Sequence, residues 1–192
     1  MRLFVALQIP AAVRESFATL LSQLRSISAE AKDKSARWVH PENLHVTLKF
    51  IGEAAPEKLA NIQKALAAVR SSAPVSIYFH GLGFFPNEKH PRVFWAGMDA
   101  SPNLQTLAAD VEQSLEQLGF PREQRPFTPH LTLARFEPSR LHEKLRAFIH
   151  ENSSRNFGSH VTSEFHLIES KLKPSGAEYT TLQTFRFVAA EA

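Results

Sequence analysis

Residues 44–52 read Leu44-His45-Val46-Thr47-Leu48-Lys49-Phe50-Ile51-Gly52, and residues 130–136 read His130-Leu131-Thr132-Leu133-Ala134-Arg135-Phe136. Both are short runs rich in β-formers, so each is read as a strand. Side chains alternate along a strand, which puts His45 and Thr47 on one face and Val46 and Leu48 on the other. His130 and Thr132 separate from Leu131 and Leu133 in the same way. Each strand thus presents a polar pair backed by an apolar pair. With nine histidines and nine threonines in 192 residues, fewer than one His-x-Thr triplet is expected by chance, and the chain holds three. The third, His160-Val161-Thr162, is followed by Ser163 instead of Leu and is read as ordinary strand.

Working outward, the spacing predicts a strand over 3–9 and a helix from Pro10 with Val13, Phe17, Leu20, Leu21 and Leu24 on its buried stripe. That helix is expected to fray into a polar loop over 26–35. A second helix follows over 56–69, then a strand over 75–79 that runs on to Phe85. The same order recurs as strand 92–98, helix 103–118, strand 130–136, helix 139–151 and strand 161–169, with a closing strand over 181–188. Leu3 to Val93, His45 to His130, Pro56 to Ser139 and Val75 to Val161 are separated by 90, 85, 83 and 86 residues. Nearly constant offsets indicate an internal duplication of a β-α-β-α-β unit, with halves of about 1–85 and 90–170. The expected fold is α+β: one domain of two pseudo-twofold-related lobes of antiparallel or mixed sheet, with outer helices around a central groove. A groove at a repeat interface is a usual place for a small-ligand site.

Composition narrows the function classes. At 43% hydrophobic and 21% charged, with 7 Gly and 12 Pro, the chain is neither collagen-like nor disordered. With no cysteine, it makes no disulfide, thiolate nucleophile or thiolate metal site. The apolar N-terminal stretch is too short for a signal peptide and no run is long enough to span a bilayer, so a cytoplasmic location is expected. A net charge of +3 and a pI near 9.3 permit attraction to a polyanion.

The paired His-x-Thr words resemble those of the 2H phosphoesterases, and more closely the branch of bacterial and archaeal RNA 2′,3′-cyclic phosphodiesterases, also described as 2′-5′ RNA ligases. Arg2-Leu3-Phe4-Val5-Ala6-Leu7 is similar to that branch's opening strand. Arg37-Trp38-Val39 with residues 44–53, and Arg125-Pro126-Phe127 through Arg135, are similar to its two motif blocks. Glu169-Ser170, Gly176 and Tyr179 resemble its closing segment, with Lys171 where Arg is usual. The resemblance implies hydrolysis of RNA 2′,3′-cyclic phosphate ends to a 2′-phosphomonoester, with reversible ligation as a side activity. It also implies that His45 is the proton donor to O3′ and His130 the base that activates water.

The chemistry asks for such residues independently of the family. Opening a cyclic phosphodiester with water needs one proton taken and one given on opposite sides of phosphorus, and imidazoles titrate near neutrality. Thr47 and Thr132 are candidate donors to the non-bridging oxygens. Arg135 is a candidate phosphate contact, although its odd spacing from His130 sends it to the opposite face unless the strand twists, bulges or ends there. Phe50, its positional counterpart, is a candidate for stacking on a base. Neither His-x-Thr word carries a carboxylate on its face, so no metal and no cofactor is expected. Trp38 and Trp95 could stack with bases, but core packing is the preferred reading for each. The expected partner is RNA with cyclic-phosphate ends, bound by a monomer. Two rivals stay open: a 2H enzyme acting on a small cyclic nucleotide or ADP-ribose cyclic phosphate, and a non-catalytic RNA-end-binding module.

Overall fold

The computed structural model describes residues 1–71, 73–137, 141–174 and 176–187. Among these, nine strands form a single sheet: β1 (Arg2–Gln8), β2 (Ala36–Trp38), β3 (His45–Glu53), β4 (Val75–Phe85), β5 (Val93–Ala100), β6 (Leu131–Phe136), β7 (Asn156–Thr162), β8 (Glu164–Lys173) and β9 (Gly176–Arg186). Four α-helices among the described residues cover one face: α1 (Ala11–Glu30), α2 (Leu59–Ala67), α3 (Asn103–Glu116) and α4 (Glu143–Glu151). The order across the sheet is β7-β4-β5-β6-β3-β1-β8-β9, with β2 beside β6, and every pairing is antiparallel. Ser163 alone joins β7, at one edge, to β8, next to the other edge, so the sheet must curl.

The two motif strands meet at the middle of this order. Their ladder is a single pair, Val46 with Leu131; beyond it β2 pairs with β6 over residues 134–136, while β5 pairs with β6 from Leu131 to Arg135. The helices close the main core against Leu3, Val5 and Leu7 of β1, Val46 and Leu48 of β3, and Leu131 and Leu133 of β6. Phe17 of α1 stacks on Phe157 of β7 at 4.2 Å and meets Phe79 edge-on. The other face of the sheet stays open and holds a small separate cluster of Phe4, Ala6 and Ile168, with Tyr179 packed on it.

Several expected boundaries move. The helix expected to fray at 26 runs on to Glu30, because Ser28 turns inward and its hydroxyl donates to the Asp33 carbonyl. The strand expected over 161–169 is two strands parted at Ser163, where the Thr162 hydroxyl bonds the backbone N–H and C=O of Glu164. Thr162 is therefore spent on a turn, and the third His-x-Thr word lies, as expected, in a strand, at the end of β7. β2 lies in a stretch with no strand expected, and β9 starts at Gly176 instead of 181. The start of the 139–151 helix and the end of the 181–188 strand lie outside the described residues; within them α4 begins after His142, whose ring accepts from the Lys144 N–H.

One charged residue enters the core. Lys49, 5% exposed, pairs with Glu112 of α3 and donates to the Pro121 carbonyl at 2.9 Å. This ties β3 to α3 and to the segment leading into His130. Removing one partner of a buried pair strands the other charge, at about 3–5 kcal/mol. Lys49→Met is expected to destabilise the fold by about that amount in urea denaturation, and Lys49→Met with Glu112→Leu to recover most of it. A single-variant loss below about 1 kcal/mol contradicts this account.

Candidate active site

His45 opens β3 and His130 immediately precedes β6, the neighbouring central strand, and both lie on the open face. From the Val46–Leu131 pair, one residue either way sets His45 across from Thr132 and Thr47 across from His130. Opposed side chains on one face have Cβ atoms about 4.5–5.5 Å apart, so the four polar groups form one patch with the imidazoles on its diagonal.

Each ring is held by the backbone just before its strand. His45 Nδ1 lies 2.7 Å from the Asn43 carbonyl, and His130 Nδ1 lies 2.8 Å from the Thr128 carbonyl. A carbonyl only accepts, so Nδ1 carries the proton in both rings and Nε2 is left for chemistry. Asn43 is itself fixed, its amide donating to the Ala177 carbonyl at 2.7 Å.

The site is unsymmetrical in its surroundings. Phe4 lies 4.7 Å from the His45 ring and Tyr179 meets it edge-on at 5.4 Å, whereas Phe85 meets His130 edge-on at 5.1 Å. Burial lowers the pKa of His45 to about 4; the Asn43 carbonyl opposes this, and the nearby charges of Arg135 and His130 add to it. Burial also raises the Tyr179 hydroxyl, against the pull of Arg135 and Arg2.

Arg135 and Phe50 reach the open face through matched bulges. On β3, Ala6 pairs with Thr47 and Val5 with Lys49, so Leu48 is the extra residue. On β6, Trp95 pairs with Thr132 and Phe94 with Ala134, so Leu133 is extra. An extra residue flips the parity beyond it. Phe50, 60% exposed and 6.0 Å from Phe4, and the exposed Arg135 thus share the face of the motif residues. Strict alternation, which sends Arg135 to the far side, fails at Leu133.

Sequence reading missed Phe4, Phe85 and Tyr179 as ring neighbours, and the carbonyls of Asn43 and Thr128. The carbonyls had a signal, since both stand two residues before the motif histidines. The aromatic contacts had none, because they come from strands distant in sequence. Trp95, read as core, lies on the open face beside Thr132, while Trp38 meets the core rings Phe94 and Phe136 edge-on. Among the described residues no three imidazole or carboxylate groups gather as a metal site would require.

The chain is similar to known proteins in sequence and fold. A family model described as LigT like Phosphoesterase matches residues 8–95 and 98–179. The RNA 2′,3′-cyclic phosphodiesterase of Archaeoglobus fulgidus is 38% identical over 185 residues, covering 96% of this chain and 99% of the relative. That of Methanothermobacter thermautotrophicus is 33% identical over 186 residues, covering 96% and 98%. A crystal structure of a Thermus thermophilus protein superposes over 100% of both chains with a TM-score of 0.80 and 30% identity. The structure of E. coli LigT complexed with 3′-AMP covers 97% of each chain, with a TM-score of 0.73 and 28% identity. In sequence over nearly its whole length and in fold, this chain belongs to the LigT-like phosphoesterase family.

Proposed function

We propose that this protein is an RNA 2′,3′-cyclic phosphodiesterase whose two motif histidines exchange protons with opposite sides of one phosphorus atom. The observation that carries the proposal is the pair of rings at the heads of adjacent strands, each with Nδ1 tied to a backbone carbonyl and Nε2 left for the substrate. Relatives bearing that activity in their names cover almost the full chain. The symmetric strand order about the β6–β3 seam supports two related halves, about 1–85 and 90–170, acting as one catalytic unit. Both imidazoles come from one chain, so a monomer suffices, and the reaction calls on no metal ion. No helix among the described residues is long and apolar enough to cross a membrane; we place the protein in the cytoplasm.

In the proposed reaction a water oxygen bonds phosphorus and gives its proton to His130 Nε2. The P–O3′ bond breaks and O3′ takes a proton from His45 Nε2, leaving a 2′-phosphomonoester. Two such transfers, at about 10²- to 10⁴-fold each, lower the barrier by roughly 5–11 kcal/mol. Thr47 and Thr132 face the non-bridging oxygens, where charge builds up in the transition state. Arg135 adds a charged donor to the phosphate and Phe50 a face for the base.

The low pKa of His45 bears on its role as donor. Neutral in the free protein at pH 7, it must gain a proton as the substrate arrives, and an anionic phosphate beside the ring provides the attraction. Binding of 2′-AMP at pH 7 is therefore expected to take up a proton at His45, visible by NMR of the imidazole. A ring that stays neutral in the complex assigns the donor role to His130 instead.

The pH dependence of kcat/KM reports the free protein. Activity falls as pH drops and a second proton binds, so the acid-side limb is expected near pH 4. An acid-side limb at the ordinary histidine value of 6.5 contradicts the burial of His45.

His45→Ala and His130→Ala are each expected to lower kcat on a cyclic-phosphate-ended oligonucleotide by about 10²- to 10⁴-fold, with folding intact by circular dichroism. Product analysis is expected to give 2′-phosphate ends. Parent-like turnover in both variants refutes the two-histidine reading, and faster turnover of a mononucleotide cyclic phosphate favours a small cyclic substrate.

A further inference from the structure

The open face carries more aromatic surface than a single nucleoside needs, and it lies on both sides of the seam. On the His45 side are Phe4, Phe50 and Tyr179. On the His130 side are Phe85 and Trp95, whose ring centroids are 5.2 Å apart with planes tilted by 35°. Phe85 in turn touches His130.

Trp95 has no counterpart across the seam. Thr47 is flanked on the next strand by Ala6, and Thr132 by Trp95. The strand beyond shows what makes room for the indole. Gly83 is the cross-strand partner of Trp95, and a Cβ there would fall 2.3 Å from the indole ring; a Cβ on Gly97 would fall 3.3 Å from it. The indole lies flat across two glycines, on the face opposite the buried Phe94 and Ala96. Its Nε1 is buried without a hydrogen-bond partner among the described residues. A flat half-buried ring facing the site is the form of a base-stacking platform.

We infer that Trp95, seated on Gly83 and Gly97 and flanked by Phe85, is the floor of a second nucleoside subsite on the His130 side of the phosphorus. This rests on the proposed function, in which the nucleoside carrying the cyclic phosphate lies on the His45 side. His130 then faces the attacking oxygen, and a nucleoside there attacks through its own 5′-hydroxyl. The O5′–P bond forms, the hydroxyl proton passes to His130, the P–O3′ bond breaks and O3′ is protonated by His45. The product is a 2′-5′ linkage with a nucleoside on each aromatic floor.

Two ligands separate the subsites: 2′-AMP, with one nucleoside, and 2′-5′-linked ApA, with one on each side of phosphorus. In the unaltered protein ApA is expected to quench tryptophan emission and 2′-AMP to leave it nearly unchanged, since Trp38 lies among core rings. As inhibitors of adenosine 2′,3′-cyclic phosphate hydrolysis, ApA is expected to weaken about fivefold or more relative to 2′-AMP in Trp95→Leu, and less in Trp95→Phe. Gly83→Ala, which drives a methyl group into the indole, is expected to shift the same ratio. Equal quenching by both ligands, no quenching by ApA, or an inhibition ratio unmoved in Trp95→Leu overturns the second subsite. A parent protein that does not hydrolyse the cyclic phosphate overturns the proposed function instead, while the emission titration still reads the subsite.

Discussion

The site depends on two hydrogen bonds from imidazole to backbone. The carbonyls of Asn43 and Thr128 each hold the Nδ1 proton of the histidine two residues on. That contact fixes tautomer and ring plane together, so both Nε2 atoms meet the ligand as proton acceptors until one is charged. Because the anchor is main chain, its position is set by the strand entry and not by any second side chain. The Asn43 amide and its bond to Ala177 then tie the first anchor to β9, the last strand of the sheet.

The bulges at Leu48 and Leu133 are the second device. Each lets a strand keep its leucine in the core while turning the next polar or aromatic site residue, Phe50 or Arg135, to the open face. The same flip sends Lys49 inward, where it pairs with Glu112, and Ala134 inward on the other strand. The buried lysine is thus a consequence of placing Phe50 outside. It also braces Pro121, in the segment that carries the chain toward His130.

Near-symmetry of backbone does not give symmetry of chemistry. Two aromatic rings, Phe4 and Tyr179, dry the His45 imidazole, and Arg135 adds positive charge, so that ring is held neutral where a water-exposed histidine would partly charge. On the other side Trp95 stands where the first half has Ala6. In the free protein this inequality leaves His45 neutral, so the donor role proposed for it depends on the proton it takes up with the anionic phosphate.

The paired His-x-Thr words, their common strand phase and the recurring β-α order were legible in the chain itself, because alternation and helical spacing are local rules. The stripe of Val13, Phe17, Leu20, Leu21 and Leu24 was legible for the same reason, and all five are buried. Three things came only with tertiary structure. The face of Arg135 turned on a bulge, which shows in cross-strand register and not in residue order. The low pKa of His45 came from burial by Phe4 and Tyr179, the second of them 134 residues away. The outward placement of Trp95 required two glycines, one on the neighbouring strand and one on its own. Local pattern states which residues share a strand face; only the folded sheet decides which strands stand beside them, and so which protons and rings they meet.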